Sequence, residues 1–580
     1  MGFGKKLDAN GRACWKPLTF AAAVVALAAM CARAESGSVE NRIQAVKELY
    51  ESKQWDQVVA ATAAAPDSPG DFGLYRGLAL ARLERWSEAQ QALEASLAHN
   101  PSDTRLMTEL GGLAYREKRF KDAKSYLRRV LKGQPGDQYA NDLLGSIYVL
   151  EGNLDAALEY WNRVNKPELS DLKFEPQPKL KPILLDRALP FSRGSVWTED
   201  AMLTSKARLE KLEVFQARHF DLEANDDGTF NLVFRAAEKP GWLDSPWAAA
   251  AGLASGLPYQ SVSVEFPSVN RNGLQWNSFY RWDDQKRRVV SEVAAPLKDN
   301  PAWRYRFSVD WRDENWNLTT TLVPSTTAAT GVNLEKTTAR MEIESIVSGR
   351  WSWSAGVRFS NREMRNRLGL PPEAAVLFTG GSNVGLQGTV QRVLVRRAER
   401  RFTVDGRANA ESGTFFMEPL GRYMRMGGEL DSRWLPHPTG EDYETRVRLR
   451  TGRTFGDVPF DELYVLGFDR DTELWMRGHP GLVNGQKGAA PSGSGYVLVN
   501  ADLDKSVYKV PFLQLRAGPF LDTGKAYAAP SGYFGSQDWM WDTGGQLKIK
   551  LLGSFEFVLG YGRDLRSGRN SFFTTVLRQP

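Results

Sequence analysis

Residue types that serve thiol and metal enzymes are scarce in this 580-residue chain, which has two cysteines and four histidines. Long apolar runs are also missing. The longest, Leu18–Met30, is 13 residues, and a membrane-spanning helix needs about 20. With a mean hydropathy of −0.42, this excludes a helical-bundle membrane protein. Aromatics are not scarce. They make up 11% of the chain, with 18 Trp, which argues against wholesale disorder. The formal charge of +6 and a pI near 9.0 at first sight suit a nucleic-acid binder.

The N-terminus alters that arithmetic. Lys5, Lys6, Arg12 and Lys16 precede the apolar run, and Ala32-Arg33-Ala34 places small residues at a cleavage site. Residues 1–34 therefore read as a secretory signal peptide cut after Ala34. A retained anchor helix is the competing reading. A lipoprotein signal at Cys31 is disfavoured because Met30 stands where a small residue belongs. The leader holds five Lys/Arg, one Asp and both cysteines, Cys14 and Cys31. Removing it leaves 70 basic and 68 acidic residues, a charge of +2. The mature chain has no disulfide, thiol nucleophile or cysteine-bound zinc. No nucleic-acid partner is expected.

Residues 37–165 carry a repeat. Gly77, Gly111 and Gly145 are 34 apart, and so are Ala89, Ala123 and Ala157. Pro101 follows Ala89 at the interval by which Pro135 follows Ala123. Small residues let two antiparallel helices approach, and the proline ends the second helix. This pattern resembles the tetratricopeptide repeat. Residues 41–66 read as a degenerate first copy. Such a stack suits a protein partner on its concave face; a rigid spacer is the plainer reading.

Residues 166–182 contain four prolines and read as a linker or extended edge. Leu184, Leu185 and Leu189 then predict a short helix, and Thr198 is placed to cap another from Glu199 to about Leu212. Strand-like runs His219–Ala224 and Thr229–Ala236 flank Asn225-Asp226-Asp227-Gly228, a hairpin signal. The helix–helix–strand–strand order over residues 172–240 resembles a single POTRA domain. A generic α/β domain remains the alternative.

From residue 250 to the end the period becomes two. Trp303, Tyr305, Phe307, Val309 and Trp311 alternate with Arg304, Arg306, Ser308, Asp310 and Arg312. Trp351 to Phe359 behaves likewise. In a soluble sandwich the apolar face points inward; in an outer-membrane barrel it faces lipid. The export signal, the many aromatics and the length favour an antiparallel transmembrane β-barrel of about 16 strands. Carbohydrate-binding sandwiches are the alternative.

Two segments of the barrel region carry a sharper resemblance. Pro459-Phe460-Asp461-Glu462-Leu463-Tyr464 leads into Trp475-Met476-Arg477-Gly478-His479. Downstream, Gly518-Pro519-Phe520-Leu521-Asp522-Thr523-Gly524 has a Phe-x-Asp-x-Gly core. Together they resemble the BamA/TamA (bacterial surface antigen) superfamily of outer-membrane barrels. The resemblance implies that the loop bearing Arg477, Gly478 and His479 folds into the lumen and that Arg477 docks on a wall formed by Phe520, Asp522 and Gly524. A surface loop that merely contains Arg-Gly is the plain alternative. Two departures stand out. His479 occupies a position where that superfamily has Phe or Tyr. The chain ends Leu577-Arg578-Gln579-Pro580 rather than on an aromatic, the nearest being Phe572 and Phe573.

The resemblance implies an outer-membrane assembly, insertion or translocation factor whose N-terminal domains lie in the periplasm. Its partners would be the outer-membrane bilayer, a client or secreted polypeptide, and a periplasmic protein at the repeat face. A dedicated secretion pore for one partner protein is the alternative, whether for two-partner secretion or surface-lipoprotein export. An N-terminal helical-repeat domain before a barrel also resembles the surface-lipoprotein assembly modulators. A porin-like channel ranks below both. No nucleophile–base pair is evident, so no enzyme, cofactor or metal is expected.

Overall fold

A computed structural model describes residues 40–63, 71–239, 241, 246, 249–250, 253, 256–318, 331–369, 376–510, 513–528, 538–551 and 555–578. The leader lies outside the described residues. The chain forms two compact units, residues 1–147 and 148–580.

The first unit is a run of paired helices. They are α1 (40–51), α2 (Trp55–Ala63), α3 (Asp71–Arg82), α4 (Trp86–His99), α5 (Thr104–Arg116), α6 (Phe120–Gly133) and most of α7 (Gln138–Leu150). The 34-residue period falls where helices must touch. A Cβ on Gly77 would lie 2.4 Å from Leu93 Cγ, and one on Gly111 would lie 2.8 Å from Leu127 Cδ2. Ala89 and Ala123 are fully buried, and Gly145 is buried too. Pro101 and Pro135 sit exposed in the turns that follow α4 and α6. Asp103 caps α5, its Oδ1 accepting from the Arg105 backbone N–H at 2.9 Å. Among the described residues no helix is long and apolar enough to cross a membrane.

The second unit opens with α8 (Leu154–Trp161), in which Ala157 is fully buried. A four-stranded module follows, made of β1 (Glu168–Glu175), α9 (Pro182–Ala188), β2 (Ser195–Val196), α10 (Glu199–Lys211), β3 (Phe215–Ala224) and β4 (Phe230–Glu238). Its sheet order is β2-β1-β4-β3, with β1 parallel to β4. The Pro-rich segment is therefore not a plain linker. Pro167 and Pro176 bracket a strand whose Leu169 is buried in the module core, and neither proline removes a ladder donor from inside it. Thr198 Oγ1 caps α10, accepting from the Ala201 N–H at 3.1 Å. The hairpin at residues 225–228 turns through Gly228 at φ 83°.

The wall strands then run β5 (Ser261–Val269), β6 (Leu274–Asp283), β7 (Lys286–Leu297), β8 (Asn300–Asn317), β9 (Gly331–Ser348), β10 (Trp351–Leu368), β11 (Gly381–Arg397), β12 (Phe402–Phe415), β13 (Arg422–Trp434) and β14 (Tyr443–Phe455). Residues 456–494 leave the wall and carry four two-residue strands, β15 (Tyr464–Val465), β16 (Leu482–Val483), β17 (Gln486–Lys487) and β18 (Ser492–Gly493). The wall resumes with β19 (Gly495–Val510), β20 (Leu513–Tyr527), β21 (Met540–Leu551), β22 (Phe555–Asp564) and β23 (Asn570–Arg578). The sheet is closed, with β23 beside β5. Fifteen long strands are described, in line with about 16; β14 pairs directly with β19, and the excursion at 456–494 adds only the short pairings β16–β17 and β17–β8. The wall is uneven: β8, β9 and β10 have 18 residues each, whereas β5 and β23 have 9.

Exposure decides between barrel and sandwich. Trp276, Trp303, Phe307, Trp351 and Leu386 are exposed, while Arg304, Asp310, Arg358 and Arg362 are buried. A soluble sandwich would invert this. Apolar outside and charged inside is the pattern of a transmembrane β-barrel. One end of the barrel carries the small module. Arg187 of α9 donates to the carbonyls of Lys298 and Asp299 in the β7–β8 turn, at 2.8 and 3.2 Å. Asn153 donates to the Ala398 carbonyl in the β11–β12 turn, at 3.0 Å. Lys211 pairs with inward-facing Glu344 at 2.5 Å, so the end of α10 reaches into the lumen mouth.

Replacing Gly111 by Val places methyl groups inside the contact with Leu127. The expected cost is about 1–3 kcal/mol, read as a lower urea midpoint of the helical circular-dichroism signal. An unchanged midpoint would show that α5 and α6 do not pack at this distance.

Candidate functional site in the barrel lumen

Period-two alternation sends every second wall side chain into the lumen, and many of these are charged. A row of them is in register. Asn500 of β19 stands opposite Asp522 of β20, Asp522 opposite Asp542 of β21, and Asp542 opposite Asp564 of β22. Like charges directly across a sheet repel. Asp522 and Asp542 are fully buried, so water cannot screen them. The wall alone cannot hold this row.

The excursion between β14 and β19 supplies the compensation. Arg477 is buried and lies along the row. Its backbone N–H and Nε donate to Asp522 Oδ2, both at 2.9 Å, and its Nη2 donates to Asp522 Oδ1 at 2.5 Å. Nη1 reaches Asp502 at 2.6 Å and Gln546 at 2.9 Å. The guanidinium also covers the Phe520 ring, 3.8 Å from its centroid. A planar fork with five donors suits such a site better than an ammonium would. The Gly478 N–H donates to Asp542 Oδ2 at 2.6 Å. A Cβ there would lie 2.7 Å from the Asp542 carboxyl carbon and 2.8 Å from the Arg563 carbonyl carbon. The backbone approaches this closely only because residue 478 is glycine. His479 continues the line, with Nδ1 2.9 Å from Asp542 and Nε2 3.5 Å from Asp564.

The structure thus brings Arg477, Gly478 and His479 together with Phe520 and Asp522. Gly524 stands apart from Arg477; a Cβ there would meet the Val497 carbonyl oxygen of β19 at 2.9 Å. Phe573 faces inward and packs on Phe468 and Phe520, while Phe572 faces out. Gln579 and Pro580 lie outside the described residues.

Two further anchors hold the same excursion. Asp461 and Glu462 receive Lys336 of β9 at 2.7 and 2.8 Å. Glu462 also takes Arg362 of β10 at 2.7 Å and Arg425 of β13 at 3.2 Å, and it contacts Arg358. On another side, Asp471 accepts two bonds from Arg281 of β6, at 3.0 and 2.9 Å, and one from Arg288 of β7 at 3.0 Å. Lys487 returns the charge to Glu314 of β8 at 2.8 Å. The loop is cationic where the wall is anionic and mainly anionic where the wall is cationic. Apolar side chains fill the rest: Phe460 joins Trp316 and Phe378, and Met476 joins Leu466 and Leu498.

Asp542, Asp564, Asp471 and Lys487 were not singled out from the sequence. The available signal was a charged residue at an inward position of an alternating strand, which marks a polar lumen but names no partner. His479, Asp542 and Asp564 place one potential metal-ligand atom each within 4.8 Å of the others. Both ring nitrogens already face carboxylates.

Arg477→Met would leave Asp502 and Asp522 buried without their cation, at a cost of about 3–5 kcal/mol. The loop should then become protease-sensitive in the detergent-solubilised protein, with cleavage between residues 456 and 494. Retained protection would show that this anchor is dispensable.

Comparison with known proteins follows this division. A tetratricopeptide repeat family model matches residues 74–137 and 114–168. No curated protein sequence matches significantly. Among solved structures the chain is similar to CdiB from Escherichia coli at 12% identity, over 71% of this chain and 75% of that one, with a TM-score of 0.46. CdiB from Acinetobacter baumannii matches at 13% identity over 78% and 81%, with a TM-score of 0.43. BamA from Haemophilus ducreyi lacking POTRA domains 1–3 matches at 12% over 71% and 84%, with a TM-score of 0.39. The chain carries tetratricopeptide repeats ahead of a transmembrane β-barrel that holds a charged loop in its lumen.

Proposed function

We propose that the chain is an outer-membrane assembly, insertion or translocation factor. One observation carries the reading: the lumen holds a wall excursion, residues 456–494, tied by ion pairs on three sides. A passive pore needs an open polar lumen. A loop tied to the wall by charges is instead a plug that rearranges with the wall. The uneven wall supports the same reading. Its 9-residue strands β5 and β23 meet at the seam, where the wall is half the length of β8 and a thinner belt meets the bilayer. A client strand pairing at that edge would gain backbone hydrogen bonds and lipid burial, with no side-chain chemistry.

The remaining parts take roles accordingly. The leader directs the chain across the inner membrane and the N-terminal domains face the periplasm. The module of β1–β4 is POTRA-like; its edge strand β3 suits capture of an extended segment by strand addition. The helical repeats receive a client or a periplasmic partner.

Deleting the gene and profiling the outer-membrane proteome tests this. The expected result is depletion of outer-membrane barrels or of a secreted surface protein. The first outcome marks an assembly factor and the second a dedicated exporter. An unchanged proteome with altered solute uptake would overturn the proposal in favour of a channel.

A further inference from the structure

The outer surface has a groove of about 900 Å³ where the small module meets the barrel. Helix α9 contributes Asp186 and Arg187, α10 contributes Arg208, and the β7–β8 turn contributes Lys298. Its floor includes Leu297 and Trp303, both more than a third exposed on the barrel exterior.

The cations here differ from those in the lumen. Lumenal arginines such as Arg281, Arg358 and Arg477 each face a carboxylate. Arg187 donates instead to the carbonyls of Lys298 and Asp299. Arg208 Nη1 donates to the Arg187 carbonyl at 2.9 Å, and its Nε is buried without a hydrogen-bond partner. Three positive side chains thus share a groove with one carboxylate, Asp186. The cluster lacks anionic charge.

Its depth indicates what supplies that charge. At the barrel end bearing the module, exposed tryptophans lie close to the turns: Trp276, Trp303, Trp351 and Trp434. Trp303 packs edge-on against Trp353, with centroids 5.6 Å apart. Such a girdle marks the level where hydrocarbon gives way to headgroups. The cations stand just outside it, and the apolar floor runs into it.

We propose that this groove binds an anionic phospholipid of the adjacent leaflet, with its phosphate among Arg187, Arg208 and Lys298 and an acyl chain along Leu297 and Trp303. A free phosphate satisfies the cations but makes no use of the floor. The bound lipid would bridge module and barrel, because its charge partners come from both. The inference rests on the transmembrane reading of the barrel and is independent of any client.

The test uses the full chain purified in detergent and supplied with phosphatidylglycerol or phosphatidylcholine, with bound lipid counted by native mass spectrometry. Phosphatidylglycerol should be retained preferentially. The combined change Arg187→Gln, Arg208→Gln and Lys298→Gln should weaken retention roughly tenfold or more. Lys298→Gln alone, in an exposed turn, should weaken it in part and covers the case in which the triple variant fails to fold. Trp303→Ala should reduce lipid binding. Inorganic phosphate and glycerophosphate, titrated separately, should compete poorly. Equal retention of both lipids, no effect of Lys298→Gln in the folded protein, or binding of inorganic phosphate as tight as that of the lipid would each overturn the proposal.

Discussion

Three aspartates side by side on a barrel wall constitute a fault unless a cation reaches them. Asp522, Asp542 and Asp564 are direct cross-strand neighbours, and the first two are sealed from water. Arg477, the Gly478 N–H and His479 run along this row and answer it residue by residue. Each half explains the other. The loop buries apolar side chains such as Phe460, Leu466 and Met476, but only its charges answer those of the wall, which cannot bear them alone. The inward fold of the excursion combines this apolar packing with electrostatics in a cavity of low dielectric, where removing one partner of a pair leaves the other exposed to the full desolvation penalty.

The same principle, with the sign reversed, operates across the lumen. Lys336, Arg358, Arg362 and Arg425 project from β9, β10 and β13, and Asp461 and Glu462 come to them from the start of the excursion. Asp471 and Lys487 engage β6, β7 and β8. The excursion is thereby tied to strands all around the barrel. A change in barrel shape must break or exchange some of these pairs, which gives the plug a direct mechanical link to the wall.

Outside, the constraint is reversed. Wall positions facing lipid must be apolar, and tryptophans collect near the turns. The module docks at that same level, and Lys211 and Glu213 approach Glu344, Arg304 and Arg306 in the lumen mouth. The barrel is therefore occupied from two directions, by the excursion within and by the end of α10 at one mouth.

Local features were legible in the sequence because their causes are local. The 34-residue spacing of Gly77 and Gly111 shows in the sequence because each packs against Leu93 or Leu127 a fixed 16 residues later. The capping threonine of α10 and the hairpin at Gly228 each depend on a few neighbouring residues. Strand β1 was legible only as a linker or an extended edge, and not as an inner strand, because prolines bracket it and its partner β4 lies about sixty residues on. Arg477 and Asp522 were legible as a pair only through a family resemblance, since 45 residues separate them. Asp471 and Arg281, 190 residues apart, carry no mutual sign in the chain. By itself the sequence determined the helical period, the alternation of the strands and the polar character of one strand face. Only the tertiary structure decided that this polar face points inward, that the carboxylates fall in register, and which cation meets which anion. Periodicity sets which way a side chain points, but charge compensation is a property of the closed surface on which distant side chains meet.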